Sequence, residues 1–286
     1  MTTGGRSFLD VLRLLYRLRW PALASLTYSV GVAAANHIFF ADIDTIAART
    51  HGLIGLLLGF MVVFRTNTAY DRWWEARKLW GQLANDCRNL CIKISVMHQI
   101  CPEDAYLMGE QLARFARTLK NNLQGDIDAV PARIAILVRE LITRWRRDGR
   151  IDGYDLMVLD RHAVTLMDVA GSCDRIRRTP IPHAYLALIR GSIFFYLLTL
   201  PWGLVEEFNF WTIPVCVLIT LFMTGLEAVA ENIEDPFGNT EDDLPMEAVC
   251  AGLETSLRNI VAGGTGRDGA QSATVIVNPR AQTRNG

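Results

Sequence analysis

Residues 51–78, HGLIGLLLGFMVVFRTNTAYDRWWEARK, decide the fold of this chain. The first half, up to Phe64, contains no Arg, Lys, Asp or Glu, whereas the second half is rich in charged residues and Trp. Because no proline separates the halves, we predict one long helix that begins in hydrocarbon and ends in water. Leu56, Phe60 and Phe64 recur at every fourth position and form a column on one face. Such a column is typical of ordinary packing or of a pore wall, and the spacing alone favours packing.

The composition indicates a membrane protein with a substantial water-exposed part. Of the 286 residues, 50% are hydrophobic and 21% are charged, and the mean hydropathy is +0.17. This mixture is high in apolar residues for a soluble protein. The net charge of −1 and the absence of a basic tract argue against nucleic acid as a partner. The six cysteines are scattered, which favours reduced structural thiols over a zinc site.

Four uncharged or nearly uncharged segments predict four membrane spans. The predicted spans are approximately 20–41, 49–66, 186–205 and 210–228. Residues 1–19 are basic and amphipathic, which predicts an interfacial helix on the inner leaflet. Acidic residues follow the first and third spans, so the positive-inside rule places both termini in the cytoplasm of a multi-pass inner-membrane protein. Asp42, Asp44, Glu206 and Glu207 are these acidic residues.

The rest of the chain predicts a cytosolic helical part, so the fold class is all-α. Cytosolic helices are expected within approximately 67–180 and 231–262, and 263–286 is expected to be a disordered tail. Turn signals divide 79–180 into about four amphipathic helices. These signals are Pro102, Asn122–Asp126, Pro131 and Arg147–Gly153. We treat residues 1–262 as a single unit.

Two groups of charged residues are candidates for chemistry. The first is the acidic run around Pro236–Gly238, which predicts either a site for a hard cation or a helix end, a turn and an N-cap formed by Asp242 or Asp243. A metal-dependent hydrolase is an alternative, but no nucleophile or histidine base lies near its four acidic residues, so no catalytic residue is predicted. These four are Glu231, Asp235, Asp242 and Asp243. The second group is Arg65, Asp71, Arg72 and Glu75, which predicts salt bridges at the inner membrane edge or an ion-attracting vestibule.

Three separated segments together resemble the bestrophin family of ion channels, in its bacterial branch. They are FRTNTAYDRWWEARKLWGQL (64–83), RTPIP (178–182) and ENIEDPFGNTEDDLP (231–245). The resemblance implies a homopentamer around one central pore, with four membrane helices and a cytosolic helical domain in each subunit. The implied partners are other copies of the chain, the lipid bilayer and small inorganic ions.

The resemblance also implies site residues. The narrow neck of the pore corresponds to Leu56, Phe60 and Phe64, and an aperture at the cytosolic exit corresponds to Ile181. A calcium clasp known from animal members corresponds to Asn232, Asp235 and Asp243, where calcium, another divalent cation or none is expected. Thr240 stands where the clasp has an acid, which weakens the case for calcium.

The predicted function is an ion channel for small monovalent ions, and we favour anions such as chloride. Aromatic rings present positive edges to a pore, and the middle neck position is Phe60. A cation-selective channel of the same fold and a non-conducting membrane scaffold remain alternatives. Apolar rings of this kind gate by dewetting.

Overall fold

The computed structural model describes residues 3–39, 48–240 and 242–265, and every regular element in these ranges is helical. The chain divides into two compact units. Unit 1 comprises residues 1–76 and 176–244, and unit 2 comprises residues 77–175 and 245–286. The predicted acidic loop with Asp42 and Asp44, Glu241 of the acidic run and most of the predicted tail lie outside the described residues.

Unit 1 contains helix α1 (Thr3–Phe39), the first part of α2 (Ala48–Ser95), α6 (His183–Phe208) and α7 (Thr212–Glu234). Helix α1 packs against α7 and α6. Leu58 of α2 and Tyr196 of α6 belong to one buried apolar cluster, and Val62 and Ile189 belong to a second. Polar side chains add contacts between helices, since the hydroxyls of Ser25 and Thr220 hydrogen-bond at 2.9 Å.

The N-terminal prediction was wrong in one respect. We expected a separate interfacial helix over residues 1–19 before the first span, but α1 continues through Pro21 without a break. Proline removes one backbone donor from a helix and often kinks it without ending it. The long helix predicted from residues 51–78 is confirmed, and α2 extends it in both directions.

Helices α6 and α7 reverse direction at Asn209. This residue has φ of 47° and ψ of −124°, a positive-φ conformation outside the left-handed helical basin that glycine adopts more readily than asparagine. A single 3-10 turn, Asn209–Trp211, leads into α7. We expected Glu206, Glu207 and Asn209 to form a tight turn after the third span, but Glu206 and Glu207 continue α6, and the reversal begins only at Asn209.

Unit 2 contains the second part of α2, α3 (Pro102–Leu123), α4 (Pro131–Arg147), most of α5 (Gly153–Arg178) and α8 (Met246–Thr265). Proline begins both α3 and α4, where its missing N–H costs nothing. Helix α3 packs against α4 and α8. The four predicted amphipathic segments are thus the second part of α2 and the three helices α3 to α5. Helix α8 ends at Thr265, three residues inside the predicted tail.

Two helical stretches in the described residues are long and apolar enough to cross a membrane, Thr50–Ser95 and His183–Glu234. They include the second, third and fourth predicted spans, because the latter stretch contains both α6 and α7. Only 22% and 28% of their most apolar windows are buried within the chain, so most of this apolar surface faces outward. Helix α1, which holds the first predicted span, is not among the candidate spans found in the described residues.

Candidate functional site

The column predicted on α2 lies on an exposed face of that helix. The side chains of Leu56, Phe60 and Phe64 are 58%, 56% and 64% exposed. Leu58 and Val62, on the opposite face of the same helix, are buried against α6. Helical periodicity separates the two faces, because residues two positions apart point in different directions. The column is therefore available to line a passage, and its assignment to a pore neck stays a prediction.

The exposed face of α2 is wider than the predicted column. Leu53, Leu57 and Val63 are also large, apolar and exposed. The spacing of four that defines the column does not include these three residues. The alternating spacing of three and four, which defines a broad apolar stripe on a helix, would have included Leu53 and Leu57.

Ile181, which the resemblance assigns to a cytosolic aperture, is only 6% exposed. Its neighbours Pro180 and Pro182 are exposed. The side chain of Ile181 therefore packs against protein within this chain, and its place in an aperture stays a prediction supported by the resemblance alone.

Three glutamates of α7 form a row that binds arginines from three other helices. Glu227, Glu231 and Glu234 follow each other at spacings of four and three, so they share one face of α7. Arg17 of α1 pairs with Glu231 at 3.0 Å. Arg190 of α6 pairs with Glu227 at 2.9 Å and with Glu231 at 3.2 Å. We call these residues, with Arg65, the arginine–glutamate cluster.

Arg65 of α2 completes the arginine–glutamate cluster from a buried position. Its side chain is 0% exposed and lies 2.6 Å from the carboxylate of Glu234 and 3.8 Å from that of Glu227. A guanidinium buried to this extent requires a counter-charge, because desolvation of an unpaired charge is costly. The salt-bridge prediction is thus confirmed for Arg65.

Arg72 was expected to form salt bridges with neighbouring charged residues of α2. Its guanidinium instead binds backbone carbonyl groups of unit 1. Its guanidinium donates hydrogen bonds to the carbonyl oxygens of Glu234, Thr179 and Ile176 at 3.2, 2.5 and 2.8 Å. One side chain thereby ties α2 to the end of α7 and to the end of α5. Asp71, by contrast, is exposed.

The three predicted clasp residues have partners within the chain. Asn232 accepts a hydrogen bond from Arg17 at 2.7 Å and donates one to Asp242 at 3.2 Å. Asp235 accepts from the backbone N–H of Phe237 at 3.3 Å, and buried Asp243 accepts from that of Thr240. These contacts match the turn that the sequence offered as the second interpretation of this segment.

In the described part of the chain, no group of three or more His, Cys, Asp or Glu side chains is placed to hold a metal ion. Glu231, which the hydrolase hypothesis needs as a ligand, instead pairs with Arg17 and Arg190. The divalent clasp at Asn232, Asp235 and Asp243 stays a prediction that rests on the resemblance.

Comparisons with known proteins agree with one another. A sequence profile described as "Bacterial/Fungal Bestrophin protein" matches residues 10–130 and 125–259. A voltage-dependent anion channel-forming protein of Ralstonia nicotianae is 29% identical over 269 residues, covering 86% of this chain and 88% of its own length. A protein of the same description from Mesorhizobium japonicum is 32% identical over 249 residues, covering 80% of each chain.

Solved structures show the same fold. The crystal structure of a bacterial bestrophin homologue from Klebsiella pneumoniae is similar with a TM-score of 0.80, covering 86% of this chain and 98% of that one. A variant of that homologue gives a TM-score of 0.81. The sequence identities are 24% and 23%, so these structures show a shared fold and nothing more.

Proposed function

This chain belongs to the bacterial and fungal bestrophin family, and on that premise we propose that it forms a homopentameric channel for small monovalent anions in the inner membrane. The relatives from Ralstonia nicotianae and Mesorhizobium japonicum are both described as voltage-dependent anion channel-forming proteins. The descriptions of these relatives favour anions as the conducted ions. The exposed face of α2 is the surface that we propose lines the pore.

The observation on which the proposal rests is the outward face of α2. Leu56, Phe60 and Phe64 are large, apolar and exposed in a single chain. Five copies arranged around an axis would place them in three successive apolar rings, which can exclude water when narrow and conduct when wide. Exposed Leu53 and Leu57 extend the same face toward the start of the helix.

Two of the three proposed rings are aromatic, and this favours anions. The edge of a phenyl ring is electropositive and its face is electronegative. Rings of Phe60 and Phe64 that turn their edges toward the axis would attract chloride weakly without holding it. Weak attraction suits conduction, since an ion must leave a site as readily as it enters.

The proposed topology places both termini in the cytoplasm, with four spans per subunit. Arg17, Arg65 and Arg190 come from three different helices and meet the glutamates of α7 in one cluster. Basic residues beside membrane spans are enriched on the cytoplasmic side. We therefore assign the end of unit 1 that holds the arginine–glutamate cluster to the inner membrane surface.

The test is the reversal potential of purified full-length protein in planar bilayers across a potassium chloride gradient. We expect a potential near that of chloride. The variants Phe60→Ala and Leu56→Ala should raise the conductance or change the anion-to-cation permeability ratio, because each widens one ring. Phe222→Ala on α7 is the matched control, since Phe222 is similarly exposed but lies on another helix.

Other outcomes separate the alternatives. A reversal potential near that of potassium would replace the anion channel with a cation channel of the same fold. No current from correctly assembled protein would favour a scaffold. Equal currents from the parent and both neck variants would remove the neck assignment while leaving the family unchanged.

A further inference from the structure

An open groove of about 520 Å³ lies within unit 1, between α1, α6 and α7. Its walls include Pro21 and Ala24 from α1 and Phe194 and Leu198 from α6. Part of its floor is Ala228 of α7. The side chains of Pro21, Ala24 and Ala228 are small, which leaves space in the middle of the groove.

The two ends of the groove differ in chemistry. At one end, the hydroxyl of Tyr28 donates to the carbonyl oxygen of Leu198 at 2.9 Å and accepts from the indole N–H of Trp202 at 3.0 Å. At the other end lie Arg17, Arg190, Glu231 and Glu227, which pairs with Arg190 at 2.9 Å. At a rise of 1.5 Å per residue, Arg17 and Tyr28 are about 16 Å apart along α1. The groove is thus a long apolar slot with charges at one end.

The charged end presents both signs to a ligand. Arg17 and Arg190 both pair with Glu231, at 3.0 and 3.2 Å. The side chains of Arg17, Arg190 and Glu231 are 52%, 47% and 47% exposed, so each keeps surface for a further contact. A guanidinium is well suited to phosphate, which it binds through two parallel hydrogen bonds. A carboxylate of the same group is suited to an ammonium.

We infer that this groove binds one zwitterionic phospholipid, with an acyl chain in the slot, the phosphate on Arg17 and Arg190 and the ammonium on Glu231. A lipid is favoured over a peptide because two of the three helices that form the slot, α6 and α7, belong to an apolar stretch whose surface faces mostly outward. The mixed charges favour phosphatidylethanolamine over an anionic lipid, whose extra negative charge would face Glu231. The inference requires only that unit 1 lies in a membrane, and it does not depend on conduction.

The first experiment fills the slot. Full-length protein is reconstituted with phosphatidylethanolamine and phosphatidylglycerol, and native mass spectrometry counts the lipids retained on each assembly. Ala24→Trp should abolish retention of phosphatidylethanolamine, because the indole would occupy the slot. Ala34→Trp is the matched control, since Ala34 is also exposed on α1 but is not part of the groove. Equal retention by both variants would overturn the inference.

The second experiment changes the charges and stays informative if Ala24→Trp fails to fold. Arg190→Gln should lower the retention of phosphatidylethanolamine by about tenfold, the effect of losing one charge-assisted hydrogen bond. Glu231→Gln should reverse the preference toward phosphatidylglycerol, because it removes the ammonium partner and leaves the arginines. Retention that is unchanged in both variants would overturn the site. No lipid retained on the parent protein would also overturn the inference.

Discussion

Gly203 allows the ring of His51 to lie directly against α6. A Cβ atom at position 203 would stand 2.5 Å from Nδ1 and 2.8 Å from Cγ of His51. His51 is itself buried, so its ring has little room to move. Gly55 of α2 serves a similar purpose, because a Cβ there would lie 2.6 Å from the hydroxyl oxygen of Tyr196. Small residues let membrane helices approach closely at such points.

We predict that Gly203→Ala lowers the free energy of unfolding by about 1–3 kcal/mol, the usual cost of overpacking. The measurement is the thermal unfolding midpoint of the purified protein in detergent. Gly191→Ala in the same helix is the control, because no atom lies within 4 Å of a Cβ at that position. That variant should be neutral or more stable, and a midpoint equal to that of Gly203→Ala would contradict the prediction.

Buried thiols in unit 2 should make the protein sensitive to alkali. Burial raises the pKa of the Cys91 thiol from its usual 9.0 to about 12. Burial likewise raises the pKa of the Cys250 thiol to about 11. In the unfolded chain these thiols would lose their protons near pH 9.0, whereas in the folded chain they keep them. The unfolded state then binds fewer protons, so stability must fall as pH rises.

We predict a falling unfolding midpoint between pH 9.0 and about 11, with a contribution from Cys250 on the order of 1 kcal/mol. Cys250→Ala should show a shallower fall than the parent over this range, measured by thermal unfolding at a series of pH values. Because lysines and tyrosines titrate in both proteins, the comparison isolates the thiol. Parallel curves would contradict the assignment.

At the scale of elements, α7 is the helix that the other helices of unit 1 bind. Its glutamates pair with arginines of α1, α2 and α6. The pairs differ in burial. The Arg65 side chain is fully buried, whereas that of Arg17 is half exposed. Burial decides the energetic effect, since water screens an exposed pair and cannot compensate a buried charge whose partner is removed.

We therefore predict that Arg65→Gln costs about 3–5 kcal/mol of stability, because it leaves Glu234 without its counter-charge. Arg17→Gln should cost no more than about 1 kcal/mol, as expected for an exposed pair. Unfolding midpoints of both variants and of Arg65→Gln combined with Glu234→Gln give the comparison. The double variant should recover part of the loss, and equal effects of the two single variants would contradict the role assigned to burial.

At the scale of the whole molecule, unit 2 also has exposed apolar residues that lipid cannot cover if this unit lies in the cytosol. Tyr154, Met157 and Val158 of α5 are large and exposed. Contiguous apolar surface of this kind on a water-facing unit marks a protein interface. A neighbouring subunit of the proposed pentamer is the partner that the family suggests.

We predict that Met157→Glu weakens the assembly of five 32.0 kDa chains. Burying an unpaired carboxylate at a subunit interface is costly, so the affinity between subunits should fall. Light scattering coupled to size exclusion measures the mass of the parent and variant in detergent. Asn121→Glu, at an exposed position of α3, adds the same charge and should leave the mass unchanged. An unaltered mass for Met157→Glu would place α5 outside the interface.

Local patterns explain why much of the helical layout could be predicted. The uncharged half of residues 51–78 and the missing helix breaker led to α2, and the proline and turn signals led to α3, α4 and α5. The continuity of α1 through Pro21 was not predicted, because an interfacial helix over residues 1–19 was expected before the first span. Local signals at that residue are ambiguous, because a proline ends some helices and is tolerated inside others.

The sequence by itself determined the helices, their apolar segments and the family, because hydropathy and helical periodicity depend on neighbours within a few residues. Only the tertiary structure decided which charges meet. Arg65 and Glu234 are 169 residues apart. Among the acidic residues that suggested a cation site, Glu231 and Glu234 pair with arginines, and Asp235 and Asp243 accept hydrogen bonds from backbone N–H groups. It also showed that the outward face of α2 is broader than one column. Which charges meet and which side chains stay exposed depend on packing between distant segments, whereas local spacing shows only which residues share a face of a helix.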